Sequence, residues 1–262
     1  MAQTMPRGAD HDVKPIRRRA KPLPWPFSVY QTAVGKKYVM AITGVGLLGF
    51  VVVHMLGNLK LYQGPTDIHL YAEGLRTLGK PFLPELTILW LLRLGLLGMF
   101  GAHIHAAWSL SRMSAKADQG YASKRDYIAV SFASRTMRWT GPIILLYLFY
   151  HLADLTLGWT NDEFVKGDVY ANVANSLGAL PVAIIYIVAS VALSVHVYHG
   201  AWSMFQSLGI NNPRYNGARR RFAQGIAALL LIGNLSFPLS VQGGLIDLDG
   251  HTPGVYEIEE TK

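Results

Sequence analysis

Polar and apolar positions alternate along this chain in long blocks. Five apolar runs stand out, at about 38–62, 86–110, 139–159, 180–208 and 222–241. Each is close to the roughly 20 apolar residues that a helix needs to cross about 30 Å of hydrocarbon. The blocks between them are polar and short. The pattern predicts an all-α membrane protein, a bundle of five transmembrane helices spanning 38–241. Residues 1–37 form a basic, proline-rich arm, irregular in its first half, with Trp25, Phe27 and Tyr30 placed to sit at lipid headgroups. No apolar run suited to a secretory signal occurs before Tyr38, so the arm reads as cytoplasmic. Residues 242–262 form an acidic tail. DIHLYAEGLRTLG, after the first run, predicts a short surface helix; the segment holding Asp162, Glu163, Lys166 and Asp168 reads as a mixed loop.

Charge decides the orientation. Lys and Arg number 24. Eight lie in the arm, six between runs two and three (Arg112, Lys116, Lys124, Arg125, Arg135, Arg138), and four after run four (Arg214, Arg219, Arg220, Arg221). The alternate side carries five: Lys60, Arg76, Lys80, Lys166 and Lys262. The remaining cation, Arg93, lies inside run two. This asymmetry puts the N-terminus in the cytoplasm and the C-terminus outside. The net charge of +8 is therefore a topology signal, and nucleic acid is not an expected partner. The absence of cysteine excludes thiolate-held iron–sulfur clusters and covalently attached haem in this chain.

Histidine inside a membrane span is costly and points to function. Four runs carry one or two: His54; His103 with His105; His151; His196 with His199. Counted from the start of each run at 1.5 Å per residue, His54 lies about 24 Å and His151 about 18 Å deep on outward-running helices. His103 lies about 26 Å deep and His196, counted from Pro181, about 22 Å deep on inward-running ones. The imidazoles thus sort into an outer and an inner pair, the ligand supply for two bis-histidine haems suited to electron transfer. Small residues flank them (Gly46, Gly49, Gly57, Gly98, Gly101, Gly200, Ala201). Spacing leaves His103 against His105, and His196 against His199, undecided. The competing reading is a haem-free anchor or transporter, whose histidines bond between helices or line a path.

Other polar residues near the spans carry candidate roles. Arg93, early in helix two, suits an outer haem propionate; Arg135 and Arg138, at the inner mouth of helix three, suit the inner ones. Asp154, one turn beyond His151, is either beside the outer haem edge, a proton carrier, or simply wet at its helix end. Asp67, Glu73 and Glu85 are candidates for proton transfer to quinone. Lys36, Lys37 and Arg219–Arg221 suit contact with a partner or anionic lipid. His11, His69 and His251 read as solvated.

VGKKYVMAITG, HMLGN, WLLRLGLL, HIHAAWSL, SRTMRWTG, YHLADLTLG and HVYHGAWSMFQSLGINNPRY occur in that order between Val34 and Tyr215. In this the chain resembles the five-helix, dihaem cytochrome b membrane-anchor subunits of succinate:quinone oxidoreductases and quinol:fumarate reductases. The resemblance implies axial pairs His54 with His151 and His103 with His196, leaving His105 and His199 as fallbacks near the haems. It implies two haems b, menaquinone as electron acceptor, and a prokaryotic plasma-membrane location. It also implies a flavoprotein subunit, which holds the dicarboxylate active site, and an iron–sulfur subunit docked on the cytoplasmic face; oligomers of the whole complex also occur. No catalytic residue is expected here. The reverse reaction, quinol:fumarate reduction, and a cytochrome b anchor of another dehydrogenase are the alternatives within redox chemistry.

Overall fold

The computed structural model describes residues 23–118 and 128–256, without the side chains of 116–118 and 128–134. The described residues form helices and connecting turns, with no strand. A short helix, α1 (Phe27–Tyr30), leads into α2 (Ala33–Asn58), which a 3-10 turn extends through Gln63. The surface helix α3 (Pro65–Arg76) follows a turn in which Gly64 takes φ +107°, a conformation open to glycine, and Pro65 starts the helix with its fixed φ. Then come α4 (Thr87–Asp118), α5 (Ile128–Leu155), α6 (Val169–Gly178), α7 (Leu180–Ser207) and α8 (Asn216–Gln242).

Among the described residues, four helical segments are long and apolar enough to cross a membrane: 33–63, 87–115, 180–207 and 213–242. In α5, Arg138, His151 and Asp154 interrupt the apolar sequence of its described part. The long helices alternate in direction. α7 packs on α8 and α5, and α2 packs on α4, α7 and α8. One end of the bundle carries α3, α6 and the C-terminal residues (the cap end); the other carries Arg112, Arg135, Arg138, Arg214 and Arg219–Arg221 (the basic end). Leu91, Leu92, Leu94 and Leu97 of α4 are all exposed. So large an apolar surface suits lipid as solvent, where helices alone satisfy their own backbone. Trp25, Trp108 and Trp139 toward the basic end, and Phe82, Trp90 and Trp159 toward the cap end, are exposed, as suits aromatic residues at membrane interfaces.

The tightest packing sits at the cap end, where Met55, Leu61, Ile68, Tyr170, Leu177, Phe237 and Ile246 form one buried cluster. Several sequence expectations are corrected there. The mixed loop contains α6, mostly buried and capped by Asp168, whose Oδ1 accepts the Ala171 N–H at 2.9 Å. The acidic tail packs back onto the cap through residue 256: Ile246 is buried, and His251 and the Gly254 N–H both donate to Asp168 Oδ2, at 2.8 and 2.9 Å. His251 is therefore buried against a carboxylate, not solvated. His69 is also covered: it stacks on Tyr256 with ring centres 3.6 Å apart, and its Nδ1 is buried. Burial pushes the Asp168 carboxyl up, but the two backbone N–H groups and His251 outweigh it and hold the carboxyl below its ordinary value. Burial first, and the Asp168 charge second, push Tyr256 up to about 12.

At the basic end, α2 begins at Ala33, not Tyr38, because Thr32 caps it by accepting the Gly35 N–H at 2.9 Å. Lys36 is consequently inside a helix and buried, donating to the Tyr30 carbonyl at 2.8 Å and lying over the Tyr30 ring. It ties α1 to α2, and the expected contact with lipid or a partner is lost. Tyr30 bonds His105 Nδ1 at 2.6 Å, while Trp25 and Phe27 remain exposed as expected. His11, Lys116, Lys124 and Arg125 lie outside the described side chains.

Candidate functional site: two cross-bundle histidine pairs

The structure brings His54 of α2 against His151 of α5, with ring centres 6.0 Å apart, and His103 of α4 against His196 of α7, at 6.4 Å. Two imidazoles on opposite sides of one metal ion, each bonded at about 2 Å through a nitrogen ~1.1 Å from its ring centre, have centres about 6 Å apart. Both observed separations match that spacing. The helices of each pair are not close-packed neighbours: α2 rests on α4, α7 and α8, and α5 on α7 and α6. Among the described residues no group of three or more His, Asp or Glu side chains gathers to hold a bare ion.

The pairs lie at two heights. Thr140 of α5 reaches His196, and His151 follows eleven residues later. Tyr186 of α7 reaches His151, ten residues before His196. Either helix therefore separates the pairs by about 15–17 Å at 1.5 Å per residue. α2 repeats the pattern: Thr43 bonds His103, and His54 stands eleven residues on. Eleven residues are three turns, so each of α2 and α5 presents a threonine and a histidine on one face.

Those hydroxyls set the tautomers. Thr43 Oγ1 donates to the Val39 carbonyl at 2.7 Å and Thr140 Oγ1 to the Thr136 carbonyl at 2.8 Å. Each oxygen is left to accept from a histidine Nδ1–H at 3.2 Å. His103 Nδ1 also lies 3.1 Å from the Met40 carbonyl, which can only accept. Tyr186 donates to Asp154 Oδ2 at 2.9 Å and faces His151 Nδ1 at 3.4 Å. In all three histidines the proton belongs on Nδ1, leaving the Nε2 lone pair free. That is the arrangement in which outer hydrogen bonds orient a metal-binding imidazole. His54 stacks on Phe50. Met40, Thr43, Thr140 and Tyr186 escape a motif search; the eleven-residue Thr–His spacing in two runs was their available signal.

The other candidates fall as follows. His105 turns from the bundle toward Tyr30 and Trp108. His199 lies one turn below His196 with its ring against Tyr198. Arg93 is exposed, its guanidinium 5.0 Å from the Trp90 ring centre. Arg135, Arg138 and Trp139 line a cavity of about 220 Å³ at the basic end. Asp154 is only 1% exposed, not wet: Tyr186, Ser176 and Thr160 all donate to its carboxylate. Glu73 pairs with Arg76, Glu85 with Lys80, and Asp67 more loosely with Lys60 at 4.0 Å. Arg219 is buried under Trp202, its Nη1 donating to Asn216 at 3.0 Å, while Arg220 and Arg221 are exposed.

No curated protein and no solved structure matches the chain. Residues 123–234, which contain His151 and His196 on their two helices, match the family model of the succinate dehydrogenase/fumarate reductase transmembrane subunit. Over these residues the chain is similar to that family, the one its sequence motifs resemble.

Proposed function

We propose that this chain is the dihaem cytochrome b anchor of a succinate:quinone oxidoreductase, with five spans, the basic end cytoplasmic and the cap end outside. The observation that carries the reading is the pair of cross-bundle imidazole contacts at 6.0 and 6.4 Å. His54 and His151 would hold the outer haem, His103 and His196 the inner one. A bis-imidazole haem supplies a low-spin iron that accepts and releases one electron with little change in its ligands. The chain's own residues hold the geometry. Thr43, the Met40 carbonyl and Thr140 keep the inner pair's protons on Nδ1; Tyr186 does so for His151. Arg135 and Arg138 are the cations nearest the inner level and suit its propionates; Arg93 suits the outer ones, and His105 and His199 border the inner site. The exposed cations of the basic end suit an iron–sulfur partner that receives electrons from a flavoprotein, and the acceptor is menaquinone dissolved in the bilayer.

The test is a reduced-minus-oxidised spectrum with a pyridine haemochrome assay on the purified subunit, alongside His54→Ala and His196→Ala. Two b-type haems per chain, with each variant losing a different one, support the reading. One haem in the unaltered chain refutes half of the pairing, and none in folded protein refutes the mechanism.

A further inference from the structure

A polar cavity of about 230 Å³ opens at the cap end, lined by Asp154, Thr160, Asp162, Glu163, Asn175 and Ser176 among others. At roughly 30 Å³ per water it has room for several. Asp162 and Glu163 stand at the α5–α6 connection, while Asp154 lies at the floor, 1% exposed. Its carboxylate is the junction between this cavity and the bundle interior. Thr160 Oγ1 donates to Oδ1 at 3.3 Å from the cavity side, and Ser176 Oγ donates to Oδ2. On the inner side Tyr186 donates to the same Oδ2 at 2.9 Å, and its oxygen faces His151 Nδ1. A continuous line of hydroxyls and one carboxylate therefore runs from the aqueous cap to the outer histidine pair.

A buried carboxylate with three donors is more than helix packing requires, and a hydrophobic residue would fill the space at lower desolvation cost. From this geometry we infer that Asp154 is the proton-exchange group of the outer redox centre, taking its proton from the cap-side cavity. The inference rests on the proposed ligation of a haem by His54 and His151. A haem held by His54 and His151 would, on gaining one electron, carry one more negative charge about one helical turn from Asp154. A carboxylate oxygen of Asp154 then takes one proton from a hydronium ion in the cavity, leaving water, and returns it when the electron departs. Local charge is thereby conserved through the cycle. The titratable groups around Asp154 are Tyr147, Tyr150 and His151 of α5, Tyr186 of α7, His54 of α2, and Asp162 and Glu163 at the cavity. Of these, the two acidic residues line the same cavity, and the histidines are the proposed ligands.

Spectroelectrochemical titration of both haems over about pH 5.5–8.5, in the complete subunit, tests the inference. The outer haem of the unaltered chain is expected to become harder to reduce as pH rises, and Asp154→Asn to flatten that dependence while leaving the inner haem's curve unchanged. The double variant Asp162→Asn/Glu163→Gln keeps the dependence. Ser176→Ala, which removes one donor to the carboxylate, changes the outer haem's pH dependence and carries the test if Asp154→Asn loses that haem. Infrared difference spectra on reduction should show a protonated-carboxyl band that Asp154→Asn abolishes. An outer haem whose pH dependence survives Asp154→Asn overturns the inference, as does one unmoved by Ser176→Ala. Absence of haem from the unaltered chain overturns instead the proposed function on which it rests.

Discussion

Thr140→Val separates an orienting role of the threonine from a packing role. Valine keeps the shape of threonine, so α5 loses one hydroxyl and no volume. The bond lost inside the helix, to the Thr136 carbonyl, restores an acceptor that already takes a backbone N–H. The bond lost across the bundle is the one to His196 Nδ1 at 3.2 Å. A neutral hydrogen bond contributes about 1 kcal/mol net, roughly fivefold in an equilibrium constant, and removing an outer partner of a ligating histidine typically costs ~10–100-fold in affinity. Thr140→Val is therefore expected to weaken retention of the inner haem by about tenfold. Thr43→Val supplies the internal comparison. His103 Nδ1 keeps the Met40 carbonyl at 3.1 Å when Thr43 is replaced, so its loss should stay under about threefold. The assay is haem titration into the haem-depleted subunit, following the inner centre by its reduced absorption band, with the outer centre as reference. Equal losses in the two variants, or none in Thr140→Val, refute the assignment of Nδ1 protons.

Two further outcomes follow from the same structure. Asp168→Ala removes the cap of α6 and the acceptor for His251 and Gly254; a lost cap and a lost charged hydrogen bond together cost about 2–4 kcal/mol. Because the Asp168 carboxyl is held low, its contribution is complete above the unfolded value near 3.9 and is lost as pH falls through the folded one. Thermal unfolding in detergent should show the unaltered chain losing midpoint below about pH 4, and the variant should lack this part of the dependence. Gly35→Ala places a Cβ on the Val29 carbonyl. It should cost about 1–3 kcal/mol and free α1 from α2, seen as faster tryptic cleavage after Lys36 and Lys37.

Much of this architecture was legible before any coordinates. Composition over 20 residues is a local property, and the hydrocarbon thickness converts it directly into span positions, so the long helices and the charge asymmetry could be read from the chain. So could the two heights of the histidines, because rise per residue is constant. The surface helix after α2 was expected within DIHLYAEGLRTLG and runs over Pro65–Arg76. α6 was missed even though Asp168 before VYANVANSLG offered a cap at its start.

Tertiary structure decided what depends on rotation and on distant partners. His103 and His105 differ by about 200° around α4, and only the seating of α4 on α2 turns the first toward His196 and the second toward Tyr30. The burial of His251 by Asp168 joins residues 83 apart, and that of Asp154 by Tyr186 residues 32 apart. A polar residue outside the apolar runs looks solvated until the chain that covers it is known, which is why His69 and His251 read as solvated and why burial of Asp154 removes only the wet alternative. The sequence by itself determined which segments are long and apolar and how far along each its imidazole stands; the fold alone determined which imidazoles face each other and which hydroxyls hold them, because facing is a property of packed helices and position along a helix a property of one.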